Sequence, residues 1–388
     1  MFLDCPDYLC DRDYLRQQVP FVDYVRNRQV ADVQVLVTAQ GTSGGRAYTL
    51  EFIGRGRFEE IDNTLTFDVP QTATESEERR QLARVLKGGL VRYVSQTPQF
   101  ENLRVGYEAP EGEAQTGGRQ PQDAPWNYWV FEAGLEGEIS GEQRSSETSV
   151  EGSLSANRTT RAWKLDFGLD GEYSSERFEV SDSATVTSIQ RRYDFDALAV
   201  RSLSPHWSAG GRAEVSSSTF LNRDLLLRLA PAVEYNVFRY EESNRRQLRL
   251  LYDLGANYFN YRDTTIFGQT AETRFDQSLS VRLDLEQTWG SASASLTGSH
   301  YFFDLSKNRL QFFSFINVQL FEGFSLRVSG NVALVQDQLY LPGEDLTDEE
   351  ILLEQQQLGT DYEYGLEIGV SYTFGSIYNT VVNPRFTG

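Results

Sequence analysis

Three groupings of side chains in this sequence have the types and spacing to do chemistry. His206-Trp207-Ser208 sets an imidazole two residues from a hydroxyl, the pairing in which a histidine takes the proton of a serine nucleophile. The acidic stretch 343–350, GEDLTDEE, gathers the oxygen ligands that calcium prefers. Cys5 and Cys10 are the chain's two thiols. Each grouping also has a plainer account. The strand following His206 has Trp207, Ala209, Gly211, Ala213 and Val215 on one parity, so His206 and Ser208 share the opposite, inward face at a short turn. His300 has the outward parity, but its neighbours two residues away are Gly298 and Phe302, and neither is a nucleophile. The acidic stretch lacks the ligand spacing of a calcium loop and reads as a solvated loop. Two cysteines are too few for a metal centre with both histidines so far off in sequence, and a local disulfide in an oxidising compartment is the expectation. A lipidated Cys5 would need small residues before it, and Phe2-Leu3-Asp4 supplies none. No phosphate loop, no Gly-x-Ser-x-Gly and no metal-ligand cluster stands out. The sequence therefore predicts no enzyme, no catalytic residue, no cofactor and no metal.

A larger set of polar residues repeats with a period of two. Lys164, Asp166, Asp170 and Glu172 alternate with Trp163, Leu165, Phe167, Leu169 and Tyr173. Arg212 and Glu214, then Arg228 and Glu234, occupy the same parity in the next segments. Arg282, Asp284 and Glu286 oppose Leu279, Val281, Leu283 and Leu285; Arg327 opposes Leu326 and Val328; Glu363 and Glu367 oppose Tyr362, Tyr364, Leu366 and Ile368. Side chains of a strand point alternately to its two faces, so each segment reads as a strand with one apolar and one charged face.

A soluble sandwich also alternates, and two features decide against it. The polar face mixes Gly and Ser with charges of both signs, which suits a barrel lumen. Connections also alternate in length: short near 157–160, 204–206, 290–291 and 322–324, longer over 174–186, 260–273 and 336–360. Short turns at one end and long loops at the other are how outer-membrane barrels are built. The expectation is a mainly β protein, an antiparallel transmembrane barrel of about 12 strands over 126–376, with the charged residues named above lining the lumen. Their interleaved signs favour a narrow, salt-bridged interior over an open eyelet.

Residues 1–107 follow a different grammar. DRDYLRQQVPFVDYVRNR suggests short helices interrupted near Pro20, and ADVQVLVTAQ, RAYTLEFIGRGRF and EIDNTLTFDV read as strands. SEERRQLARVLKGGLVRYVSQ places Leu82, Val85, Leu86 and Leu90 at helical spacing. Residues 108–125, rich in Pro, Gly, Glu and Gln, read as a linker that leaves this small α/β domain free, and 377–388 as a tail. An even strand number returns the tail to the side on which the barrel begins, so both the domain and the tail are expected in the periplasm.

Composition agrees. A formal charge of −20 repels a phosphate backbone, so nucleic acid is not an expected partner. No run of about 18 apolar residues offers a transmembrane helix. Met1 is followed at once by Phe-Leu-Asp-Cys, without a basic or an apolar leader region, so an exported chain is expected here in mature form.

The strand ADVQVLVT and the helix EERRQLARVLKGGLVRYV, in this order, resemble the N-terminal domain of TolB and the periplasmic domain of the curli secretion channel CsgG. GVSYTF is similar to the C-terminal assembly signal of outer-membrane proteins, although Phe374 is followed by GSIYNTVVNPRFTG. That tail, with VPFVDYVRNRQVADVQVLVT, resembles a poorly characterised family of Gram-negative outer-membrane barrels. The resemblance implies an envelope location with lipid and lipopolysaccharide as neighbours. It points to a domain that docks on an envelope protein or on another copy of itself. Two rivals stand beside that reading. One is a narrow diffusion porin for small solutes. The other is a lipid-hydrolysing enzyme, because the outer-membrane phospholipase, a barrel of similar size, carries an outward His-x-Ser pair; the inward parity of His206 and Ser208 counts against it.

Overall fold

The computed structural model describes residues 1–6, 8–42, 44–104, 106, 126–181, 184–321, 323–343, 357–376, 378, 380, 382 and 385. The linker 108–125 and the acidic stretch 344–350 lie outside the described residues.

The N-terminal region is a four-stranded sheet in the order β1-β2-β3-β4, built from β1 (Phe2–Asp4), β2 (Val33–Thr42), β3 (Gly45–Gly54) and β4 (Asp62–Pro70). β1 lies parallel to β2 and the other neighbours are antiparallel. Three residues are too few to show a period, which is why β1 was not legible in the sequence. Helix α1 (Arg12–Gln18) stops before Pro20, whose ring disfavours helical geometry in the residue ahead of it. Helix α2 (Glu75–Val94) starts with a capping box, in which Thr74 and Glu77 satisfy each other's backbone N–H groups.

Leu82, Leu86 and Leu90 of α2 pack on Val35, Val37, Leu50 and Phe52 to form a dry core on one face of this sheet, and Cys5 and Cys10 are joined at its margin. Phe52 fits only because position 89 has no side chain, since a Cβ there would come within 2.0 Å of the Phe52 ring. Gly88, one residue away, has open space around it. Gly89→Ala is therefore expected to cost about 2 kcal/mol through overpacking. Gly88→Ala should gain about 0.5 kcal/mol from helix propensity. The urea midpoint at which α2 amides lose exchange protection reads both, and equal shifts would show that the Gly89 contact is not tight.

The second region is a twelve-stranded antiparallel sheet in which every strand from β5 to β16 pairs with its sequence neighbours. Its strands are β5 (Trp129–Gly141), β6 (Ser145–Thr159), β7 (Trp163–Ser181), β8 (Ala184–Ser202), β9 (Trp207–Ser218) and β10 (Arg223–Asn236). They continue with β11 (Arg246–Tyr261), β12 (Ala271–Gln287), β13 (Gly290–Tyr301), β14 (Asp304–Phe321), β15 (Phe324–Val335) and β16 (Tyr362–Tyr372). At 11 to 19 residues each strand is long enough to cross a bilayer at a tilt, for which about 9–11 suffice. Among the described residues no ladder joins β16 back to β5. Hydrocarbon does not tolerate a row of unpaired amides, so a sheet that spans it must have both edges paired.

The strand count and face parity agree with the sequence. The loop lengths do not follow it throughout. Residues 174–186 were expected as a long loop, yet β7 and β8 remain paired as far as Ser181 and Ala184. The near end of the barrel is the one where β5 starts and β16 finishes. It carries one longer connection of its own, 237–245, containing a 3-10 turn at Tyr240–Glu242. Extended pairing absorbs residues that composition alone assigns to a loop.

Candidate functional site: a charged barrel interior between two covers

The apolar parity faces outward and stays unburied, with Leu279 48%, Leu366 71% and Ile139 84% exposed. Exposed aromatic and aliphatic side chains on strand after strand are the surface of a protein in lipid rather than in water. None of the described helices is long and apolar enough to cross a membrane.

The opposite face is charged, and register decides which charges meet. On the side formed by β9–β13 they neutralise one another. Arg228 donates to Asp253 at 2.9 Å, to Asp276 at 2.7 Å and to Asn257 at 2.9 Å. The bridge from β10 to β12 passes over β11 at Gly255, where a Cβ would sit 1.8 Å from the Asp276 carboxylate. Arg249 lies 3.8 Å from Glu234 and 3.9 Å from Asp284, which also accepts from Arg282 at 2.9 Å. Arg274 bonds Glu272, and Tyr261 donates to the same carboxylate. Sequence reasoning named Arg228, Glu234, Arg282 and Asp284 but missed Asp253, Asn257, Asp276 and Arg249. Strict parity through RQLRLLYDLGANYFNY would have found three of these, but Leu250-Leu251 and the inward Phe259 and Tyr261 blur the alternation there.

On the β5–β9 side carboxylates stand beside carboxylates. Glu136 is directly opposite Glu151, and Glu151 opposite Glu172. Asp170 faces Asp194, and Asp196 faces Glu214. The bases are few: Lys164 lies 3.3 Å from Asp166 and Arg192 2.6 Å from Asp194. Among the described residues Arg212, Arg327, Glu286, Glu363 and Glu367 make no ion pair, although register sets Arg327 across from Gly369 and Glu367 across from Ser329. Opposed like charges weaken a ladder, so this face keeps its carboxylates at a cost in stability.

Both ends of the interior are partly covered. At the far end the segment after β15 folds inward. Leu339 is buried, and Tyr340 rests on Leu226, Phe259 and Tyr261. Asn222 holds it by donating to the Tyr340 carbonyl at 2.9 Å. At the near end stands the α/β domain. Arg26 donates to the carbonyls of Phe374 and Gly375 at 2.8 and 2.9 Å. Arg28 donates to those of Thr288 and Gln319. Glu51 pairs with Arg245, Gln40 bonds Ser243 at 3.1 Å, and Val25 bridges to Tyr378 of the tail. Gln34 and Leu36 lie outside the domain's own core cluster, yet they are 0% and 1% exposed, and Gln34 donates to the Thr288 carbonyl of the barrel at 3.4 Å. The domain is thus seated on its own barrel, where the linker composition suggested a free unit. A cavity of about 300 Å³ remains between them, lined by Leu9, Thr38 and Ala39 above and by Asp284, Glu286, Ser293 and Phe315 below.

The pair singled out for nucleophilic chemistry does not assemble. His206 Nδ1 lies 2.9 Å from the Asn236 carbonyl, whereas Ser208 Oγ bonds the Tyr240 hydroxyl at 3.1 Å. Burial pushes that hydroxyl up to about 12, and its bond to Glu234 adds to the effect. His300 contacts Gln277 and the Tyr301 carbonyl. Among the described residues no three His, Cys, Asp or Glu side chains converge as a metal site.

The chain is similar to two solved barrels. One is the NanC porin, with 9% identity over 62% of this chain and 99% of that one, at a TM-score of 0.30. The other is the translocator domain of the autotransporter NalP from Neisseria meningitidis, with 12% identity over 63% of this chain and 80% of that one, at a TM-score of 0.18. Scores this low say nothing about what the barrel does. No curated protein matches the chain. Residues 132–351, more than half of the chain, match the family model described as "Protein of unknown function, DUF481", and the chain belongs to that family.

Proposed function

We propose that this protein is a narrow outer-membrane conduit for small solutes, passing cations ahead of anions, with its α/β domain on the periplasmic side. The observation that supports this most directly is the row Glu136, Glu151 and Glu172 on the polar face of adjacent strands. The arginines on the other side of the interior are largely spent on partners there, Arg228 on Asp253 and Asp276, and Arg274 on Glu272. The lumen-lining residues named from the sequence would then act together as a wall of net negative potential, which concentrates cations without holding any one of them. The outward apolar face would meet lipid and lipopolysaccharide.

A domain that docks on an envelope protein, as the likeness to the TolB and CsgG domains suggests, needs a free face. Here Gln34 and Leu36 are already buried and Gln34 donates to the barrel's Thr288 carbonyl, which supports the conduit over a docking module.

Reversal potentials in planar bilayers under a KCl gradient test the reading. The full chain should show cation selectivity, and Glu136→Gln/Glu151→Gln/Glu172→Gln should bring the potential most of the way towards zero. Absence of current from a folded barrel would overturn the conduit, and selectivity for anions would overturn the role of the acidic wall.

A further inference from the structure

We propose that the α/β domain is a lid, latched over the near-end mouth by contacts suited to release, so that flow through the barrel depends on its seating. The inference rests on the conduit reading. Three features of the interface carry it.

The first is the kind of bond. Guanidinium groups of the domain sit on strand-end carbonyls: Arg26 on the exposed ones of Phe374 and Gly375, Arg28 on the half-buried ones of Thr288 and Gln319. Water can satisfy the same carbonyls when the domain lifts, so release strands no buried polar group. The Glu51–Arg245 pair adds a half-buried charge contact, both partners of which water can solvate once the domain lifts.

The second feature is the independence of the domain's core. Its apolar side chains pack between α2 and one face of its sheet, and the barrel contributes to the opposite face only. Lifting the domain exposes Leu36 and the polar Gln34 while the core stays closed. A plug continuous with the barrel core could not leave in this way.

The third is tethering on two sides. The domain and the barrel are one covalent chain, and beyond β16 Tyr378 is bridged to Val25 while the Tyr24 amide donates to Thr380 at 3.3 Å. A lifted lid therefore stays near the mouth and reseats as an intramolecular event.

Full-length protein in planar bilayers provides the test. Arg26→Ala/Arg28→Ala removes the latch from the domain side without touching its core. Glu51→Gln, measured separately, weakens it at another point. The double variant should raise the open fraction about tenfold, the scale of losing charge-assisted bonds of this kind, and Glu51→Gln should raise it less. Selectivity should not change in either. Joining Gln40→Cys to Ser243→Cys with a short bis-maleimide should hold the current at its closed level. An open fraction equal to that of the parent in both latch variants would overturn the lid, as would undiminished current from the crosslinked protein. If neither parent nor variants pass current although all are heat-modifiable on gels, the conduit reading falls and the lid falls with it.

Discussion

Arg228→Leu is expected to destabilise the barrel by about 3 kcal/mol, near the lower end of the range for removing one partner of a buried ion pair. The guanidinium stands between Asp253 and Asp276 and supplies hydrogen bonds to both, with all three side chains only 13% to 19% exposed. Leucine fills similar space but leaves two carboxylates facing each other without a counter-charge. Partial solvation keeps the loss below that of a fully buried pair. Gly255 is part of the same device, because it lets the bridge cross β11. Gly255→Ala should therefore reproduce much of the loss. The double variant should lose clearly less than the sum of the singles, as residues acting through one network do. Urea unfolding in lipid vesicles measures all three. Additive losses, or an Arg228→Leu shift within the range of ordinary surface substitutions, would show that the bridge does not hold these strands.

The next largest effect concerns the two faces of one strand. Leu279 lies at the middle of β12, 48% exposed on the apolar face, with Tyr252 and Gly298 beside it in register. An arginine there sits in hydrocarbon and should cost roughly 2–4 kcal/mol. The preceding residue, Ser278, points to the polar face directly across from Asp253, so Ser278→Arg places the same charge beside a carboxylate. Heat-modifiability and yield of folded protein should fall sharply for Leu279→Arg and little for Ser278→Arg. The reverse order would mean that the two faces are exchanged and that the charged face is turned to lipid.

Much of this organisation could be read one strand at a time. Side chains alternate with a period of two, so the face of Leu283 or Asp284 is set by its neighbours in sequence and by nothing else. The same local rule yielded about twelve strands and the inward parity of His206 and Ser208, and the 3.6-residue period of a helix yielded the α2 stripe of Leu82, Leu86 and Leu90. Cys5 and Cys10 could be paired because they stand only five positions apart.

What the chain could not declare locally was which residues become neighbours across strands. Glu136, Glu151 and Glu172 each look like an ordinary polar-face residue, and only the register of β5, β6 and β7 sets them in a row. Arg228 was visible, but its partners depend on two further ladders and on a glycine between them. The seat of the α/β domain is the extreme case. Arg28 meets the Gln319 carbonyl across 291 residues of sequence, and no period or composition near either position carries that information. Alternation is written into each strand by the geometry of its own backbone. Register and docking arise only when distant backbones meet, and they belong to the tertiary structure.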